Sequence, residues 1–187
     1  MSLSIYTIKH PLVISWANSL SQEEITTFEK FDLIQKIVLA LVYEATRKFL
    51  HIHQLYLKRL TYLEKISILD NKFSYCIITD IYLSQITGKK ILSLLPQAQI
   101  CHLPLTDDNI KNLYNQYREI KPGIKIIIIQ ELLNIEIIAA IMELLLGWNI
   151  SEQDLRICCM SCSNKTLTTI SAKHPNLSIY TINIVDN

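Results

Sequence analysis

The 187-residue sequence predicts an α/β domain, a central parallel sheet flanked by helices. Two patterns carry that expectation. Residues 124–129 read Ile-Lys-Ile-Ile-Ile-Ile, an apolar run suited to a strand covered on both faces, as central parallel strands are. Around it, segments with helical apolar spacing alternate with short strand-like runs, which implies right-handed crossover connections. The length fits one domain, and no internal repeat, low-complexity tract or linker divides it, so residues 1–187 are read as a single unit.

Taken in order, residues 8–20 read as a lead-in and a short helix starting near Pro11, where proline suits the first turn. Thr26 and Glu29 then form a capping box, with Ser21 and Glu24 as a rival start. Phe31, Ile34, Val38, Leu41, Val42, Ala45 and Phe49 follow at helical spacing, so a long helix is expected over 27–49. Arg47 and Lys48 at its end suit the negative pole of the helix dipole. Residues 50–73 fit short strands, through Leu55, Leu57 and Tyr62, but also helix. Residues 72–79 are a clearer strand, Leu83–Leu95 a helix stopped at Pro96, and Gln99–Leu103 a strand. A polar stretch over 106–121 leads to a turn at Pro122-Gly123 and into the strand 124–129. A helix is expected from Ile135 to Leu146, a strand over Leu155–Met160, a helix over Lys165–Ala172 and a final strand over Leu177–Ile182.

Composition narrows the function. The formal net charge of +1 provides no basic field for nucleic acid, and none is expected as a partner. Only three glycines are present, Gly88, Gly123 and Gly147, where average usage would give roughly 13. A glycine-rich phosphate cradle is therefore absent, which argues against an ordinary nucleotide-handling enzyme. The 32 isoleucines, and lysine over arginine, track A+T-rich codons. With no basic and apolar leader at Met1–Tyr6, that bias suggests a plastid stroma or the cytoplasm of a bacterium or symbiont. Lys125, Glu136 and Glu143 interrupt the most apolar stretches, so no membrane span is expected.

Five cysteines stand at 76, 101, 158, 159 and 162, and Cys159 to Cys162 spell C-x-x-C. A redox pair or zinc site would use that spacing. Arg156–Met160 reads instead as a buried strand, on which residues three apart face opposite sides. No second C-x-x-C or C-x-x-H completes a tetrahedron, so reduced core cysteines in a reducing compartment are expected. His51 and His53 share a strand face if extended, but without a spaced third ligand they do not make a metal site. His10 and His174 each precede a proline and read as turn residues, while Asp70, Asp107 and Asp108 read as solvated loop.

Ligands of parallel sheets sit beyond the carboxyl ends of the strands. After strand 124–129 the chain runs Gln130, Glu131, Leu132, Leu133, Asn134, Ile135, Glu136, Ile137. A phosphate site would have small residues here, opening a helix. Bulky Leu and Ile block close approach, Glu131 and Glu136 repel an anion, and Asn134 reads as a helix N-cap. No catalytic, substrate-binding or metal-binding residue is expected among them.

Ile8-Lys9-His10-Pro11-Leu12-Val13, followed by Tyr43-Glu44-Ala45-Thr46-Arg47, resembles the N-terminal signature of uracil phosphoribosyltransferases. Pro96-Gln97-Ala98-Gln99-Ile100 is similar to a P-x-A-x-I stretch of that family, and Ile138–Leu146 to the helix after its phosphoribosyl pyrophosphate loop. Lys173-His174-Pro175-Asn176-Leu177-Ser178-Ile179-Tyr180-Thr181, ending near Asp186, resembles its A-H-P-x-x-x-x-Y-T segment. The resemblance spans almost the whole chain, thinly over 50–75. It implies a type I phosphoribosyltransferase fold with a small hood, assigned to about residues 50–75, and a homodimer or another protein partner.

The family's functional motifs do not carry over. Its phosphoribosyl loop reads like D-P-M-L-A-T-G-G. Aligned here, the acid falls on Gln130, the small residues on Asn134, Ile135, Glu136 and Ile137, and only Leu133 matches. The arginine of its L-R-A-G segment is lost near Tyr82-Leu83-Ser84-Gln85, and a basic residue after Leu103 gives way to Leu105-Thr106-Asp107-Asp108. Its C-terminal uracil-binding segment has no counterpart before Asn187. A polyanionic substrate needs amides, cations and magnesium, and its transfer needs that charge clamp in place. The expectation is a degenerate homologue acting as a non-catalytic subunit or a regulatory or interaction protein, without cofactor. The alternatives are an active or drifted enzyme making UMP from uracil and phosphoribosyl pyrophosphate, which alone would use magnesium, and a small-ligand binder in a remodelled cleft.

Overall fold

The computed structural model describes residues 3–22, 24–69, 74–103, 123–147 and 150–186. In chain order their elements are β1 (Ser4–Thr7), α1 (Pro11–Leu20), α2 (Thr27–Thr46), β2 (Ile52–Lys58), β3 (Leu63–Leu69), β4 (Ser74–Asp80), α3 (Ile81–Leu94) and β5 (Ala98–Leu103). They continue with β6 (Ile124–Leu132), α4 (Ile135–Gly147), a 3₁₀ turn (Glu152–Asp154), β7 (Leu155–Ser163), α5 (Asn164–Lys173) and β8 (Ser178–Val185). Six strands make one parallel sheet in the order β1-β8-β7-β6-β4-β5, the α/β architecture expected from the sequence.

Ile126 to Ile129 of β6 are each at most 1% exposed, with β4 and β7 on either side. Their side chains alternate between two cores. Ile127 and Ile129 meet α1, α2 and α3, whereas Ile126 and Ile128 meet α4 and α5. Each buried isoleucine contributes about 1.5–3 kcal/mol, so this strand needs both helical layers. Helix α4 supplies Ile138, Ile141, Met142 and Leu145 at helical spacing. Helix α2 supplies Ile34, Ile37, Val38, Leu41, Val42 and Ala45 to the other layer.

Thr26 and Glu29 form the box that starts α2, and the rival residue Ser21 caps the end of α1 instead. Helix α2 stops at Thr46, short of the expected residue 49. The amides of Phe49 and Leu50 both donate to Thr46 O, and Phe49 turns inward to 3% exposure. There its ring meets the cations of Lys125 and Arg156, at 5.2 and 4.1 Å from its centroid. Strand β1, which the sequence reading passed over, pairs in parallel with β8 through Ser4–Thr7. Tyr6 stacks on Tyr180 at 4.8 Å and accepts a hydrogen bond from Lys48, which lowers the Tyr6 pKa.

The described part of 50–73, as far as Leu69, resolves the helix-or-strand ambiguity in favour of strand. β2 and β3 form a separate antiparallel ribbon, closed by Arg59 N–H to Tyr62 O and an Arg59–Glu64 ion pair at 3.0 Å. It enters from the end of α2 and leaves toward the start of β4, so it is rooted at the amino end of the sheet. Every β2 residue is exposed.

Candidate functional site

The chain runs from β4 to the edge strand β5, then returns to place β6 on the other flank of β4. The strand order therefore reverses between β4 and β6, and the crevice beyond their carboxyl ends is where this architecture binds ligands. Two helices open there, α3 directly after Asp80 and α4 after Leu133 and Asn134. Helix N-termini carry free amides and a partial positive charge, which makes such a crevice receptive to anions.

Here the protein uses those amides itself. β6 runs on past residue 129 to Leu132, leaving only Leu133 and Asn134 before α4. Leu133 N–H donates to Ser161 O at 3.0 Å, and Asn134 N–H donates to Gln130 Oε1 at 3.1 Å. Asn134 Oδ1 then accepts from Glu136 N at 2.8 Å and Ile137 N at 3.3 Å. Four amides of the turn are thus committed internally. Across the crevice, Asp80 Oδ1 accepts from Leu83 N at 2.7 Å, so a carboxylate occupies the N-terminus of α3.

Each sequence-singled residue of the turn has a definite place. Gln130 is 5% exposed, Leu133 is buried, Ile135 and Ile137 are half-buried, and Glu131, Asn134 and Glu136 are exposed. Leu132 is 66% exposed at the rim, with Ile81 at 55% and Tyr82 at 40% after β4. The rim is therefore apolar at these three positions, with the exposed carboxylates of Glu131 and Glu136 in the adjoining turn. Among the described residues of this turn, no run of free amides is left to face a polyphosphate. The sequence reading anticipated the Asn134 cap. It missed the Asp80 cap, although an Asp three residues before Leu83 is the ordinary capping spacing.

The cysteine pattern needs a correction. Cys159 and Cys162 were expected on opposite sides of the strand, but both lie against α4 and α5, with Cys158 on the other face. Alternation breaks after Met160 as the chain turns into α5, and Cys162 Sγ comes to rest 3.7 Å from Thr181 Oγ1. A hydrogen bond from Cys159 lowers the Cys162 pKa to about 7, while that bond and burial push Cys159 up. None of the five cysteines is in a disulfide, and both members of the C-x-x-C are 0% exposed. Among the described residues no group of three or more His, Cys, Asp or Glu could hold a metal. His53 lies on β2, His10 accepts from Leu12 N as the cap of α1, and His174 Nδ1 pairs with Glu152 Oε1 at 2.9 Å. Asp70, Asp107 and Asp108 lie outside the described residues. No described helix is long and apolar enough to cross a membrane.

No protein-family model matches the sequence. The chain is 26% identical over 185 residues to a uracil phosphoribosyltransferase of Synechocystis, covering 96% of this chain and 86% of that protein. The fold is similar to that of the AQ2163 protein of Aquifex aeolicus, with a TM-score of 0.72, 14% identity, and coverage of 98% of this chain and 88% of that one. Distant homology to uracil phosphoribosyltransferase and a type I phosphoribosyltransferase-like fold follow from the two together.

Proposed function

We propose that this chain is a degenerate relative of uracil phosphoribosyltransferase, one that keeps the fold, has lost phosphoribosyl transfer, and acts as a non-catalytic subunit or regulatory partner. The observation that carries the reading is the closed turn at 133–137, whose amides are held by Gln130, Asn134 and Ser161. Phosphate recognition at a helix N-terminus needs those amides free. Asp80, Glu131 and Glu136 add negative charge where a polyanion would have to sit. Fold similarity alone does not assign activity.

Two surfaces support association. The ribbon β2–β3 exposes Ile52, Leu55, Tyr56, Leu57, Leu63 and Ile68. A two-stranded ribbon is marginal in water by itself, and one that displays this much apolar surface gains by pairing with another chain, as a homodimer or with a partner protein. The apolar crevice rim at Ile81, Tyr82 and Leu132 is the second surface. The distant homology favours one other reading, an enzyme that forms UMP. An assay of the purified protein with uracil, phosphoribosyl pyrophosphate and magnesium separates the two. The degenerate reading expects no UMP above the protein-free control. Turnover that scales with protein would replace it by the enzyme reading.

A further inference from the structure

Cys76 and Cys101 stand on neighbouring strands with their side chains on the same face of the sheet, the side of α4 and α5. Their sulfurs are 3.6 Å apart, with Cys76 donating to Cys101. Exposure separates the two. Cys76 is 1% exposed, whereas Cys101 is only partly buried. Each of the other thiols, Cys158, Cys159 and Cys162, is 0% exposed. We propose that Cys76 and Cys101 form an oxidation site, in which Cys101 reacts with a hydroperoxide and Cys76 resolves the product into a reversible disulfide between β4 and β5.

The geometry fits each step. Cys101 is the thiol that solvent reaches, and the hydrogen bond from Cys76 lowers its pKa, which raises the thiolate fraction. The Cys101 thiolate attacks one peroxide oxygen, an S–O bond forms as the O–O bond breaks, and the departing alkoxide or hydroxide takes a proton from water. The Cys76 sulfur then attacks the sulfenic sulfur, the S–S bond forms, and hydroxide leaves and combines with the Cys76 proton as water. In sum, two thiols and one hydroperoxide give one disulfide, one alcohol (or water) and one water. The sulfurs must close from 3.6 Å to about 2.05 Å. Among the described residues β5 pairs with β4 alone, so it can move by that amount without disturbing a second described ladder. The C-x-x-C pair, although a more familiar redox spacing, is sealed from solvent by comparison.

The test is peptide mapping under non-reducing conditions after brief exposure of the native protein to hydrogen peroxide. The expected product is 2 Da lighter than the reduced chain, carries a Cys76–Cys101 crosslink and reverts with dithiothreitol. On the unoxidised protein, Cys101 should be alkylated by iodoacetamide at least tenfold faster than any other cysteine. In Cys76→Ser, oxidation should stop at a dimedone-reactive Cys101 sulfenic acid. A native protein that forms no Cys76–Cys101 crosslink, or that joins Cys159 to Cys162 first, would overturn the proposal without any variant being made.

Discussion

Gln130 and Asn134 face each other across one tight turn, and the bond from Asn134 N–H to Gln130 Oε1 sets how closely α4 follows β6. Replacing Asn134 with Ala removes two accepted bonds at the start of α4. The expected cost is about 1 kcal/mol, measured by urea unfolding, with no gain of phosphoribosyl pyrophosphate binding. Gln130→Asp should likewise restore no binding, because the turn stays two residues long and its bulky side chains remain. The Asn134 cap was legible because Asn stood directly before an apolar helical run. The inward Gln130 was not, since its partner exists only once the chain has turned. Glu29 makes a pH-dependent contribution at the other layer. Hydrogen bonds from Thr26 hold its carboxyl below the ordinary 4.5, so its stabilisation of α2 is present above that value and is lost as pH falls through the folded value. Urea midpoints should therefore fall as the pH drops below the ordinary 4.5, and Thr26→Ala should flatten that part of the profile.

Among the elements, the helices α2 and α4 were readable because each repeats a helical period over more than ten residues, and β6 and β7 because each holds a short, mostly apolar run. β1 has four residues at a sheet edge, too few to show a pattern before β8 is in place beside it. The ribbon β2–β3 was ambiguous for a different reason. Apolar residues lie on both of its faces and all of β2 is exposed, so neither a two-residue nor a helical period dominates. Its folding adds little to the main sheet, which leads to a separable expectation. Replacing residues 52–69 by a short Gly-Ser linker should leave the six-stranded sheet folded by circular dichroism. Sedimentation should show the intact protein associating at micromolar concentration and the shortened one not. A monomeric intact chain with no recovered partner would remove the assembly reading.

At the scale of the whole molecule, a six-stranded parallel sheet carries a crevice whose α4 turn is capped by the protein's own side chains. The parallel order was legible from the alternation of elements. The self-capped crevice was legible only in part, because Asp80 and Gln130 lie about 50 residues apart in the chain and converge through the strand order. On the proposed reading, stability and binding are separable. The isoleucine-rich sheet is covered on both faces whether or not an anion can sit at its end. Calorimetric titration of the unmodified protein with phosphoribosyl pyrophosphate and magnesium tests that separation most directly. The closed turn predicts no magnesium-dependent binding heat up to millimolar ligand, whereas saturable micromolar binding that needs magnesium would contradict it, even with no turnover.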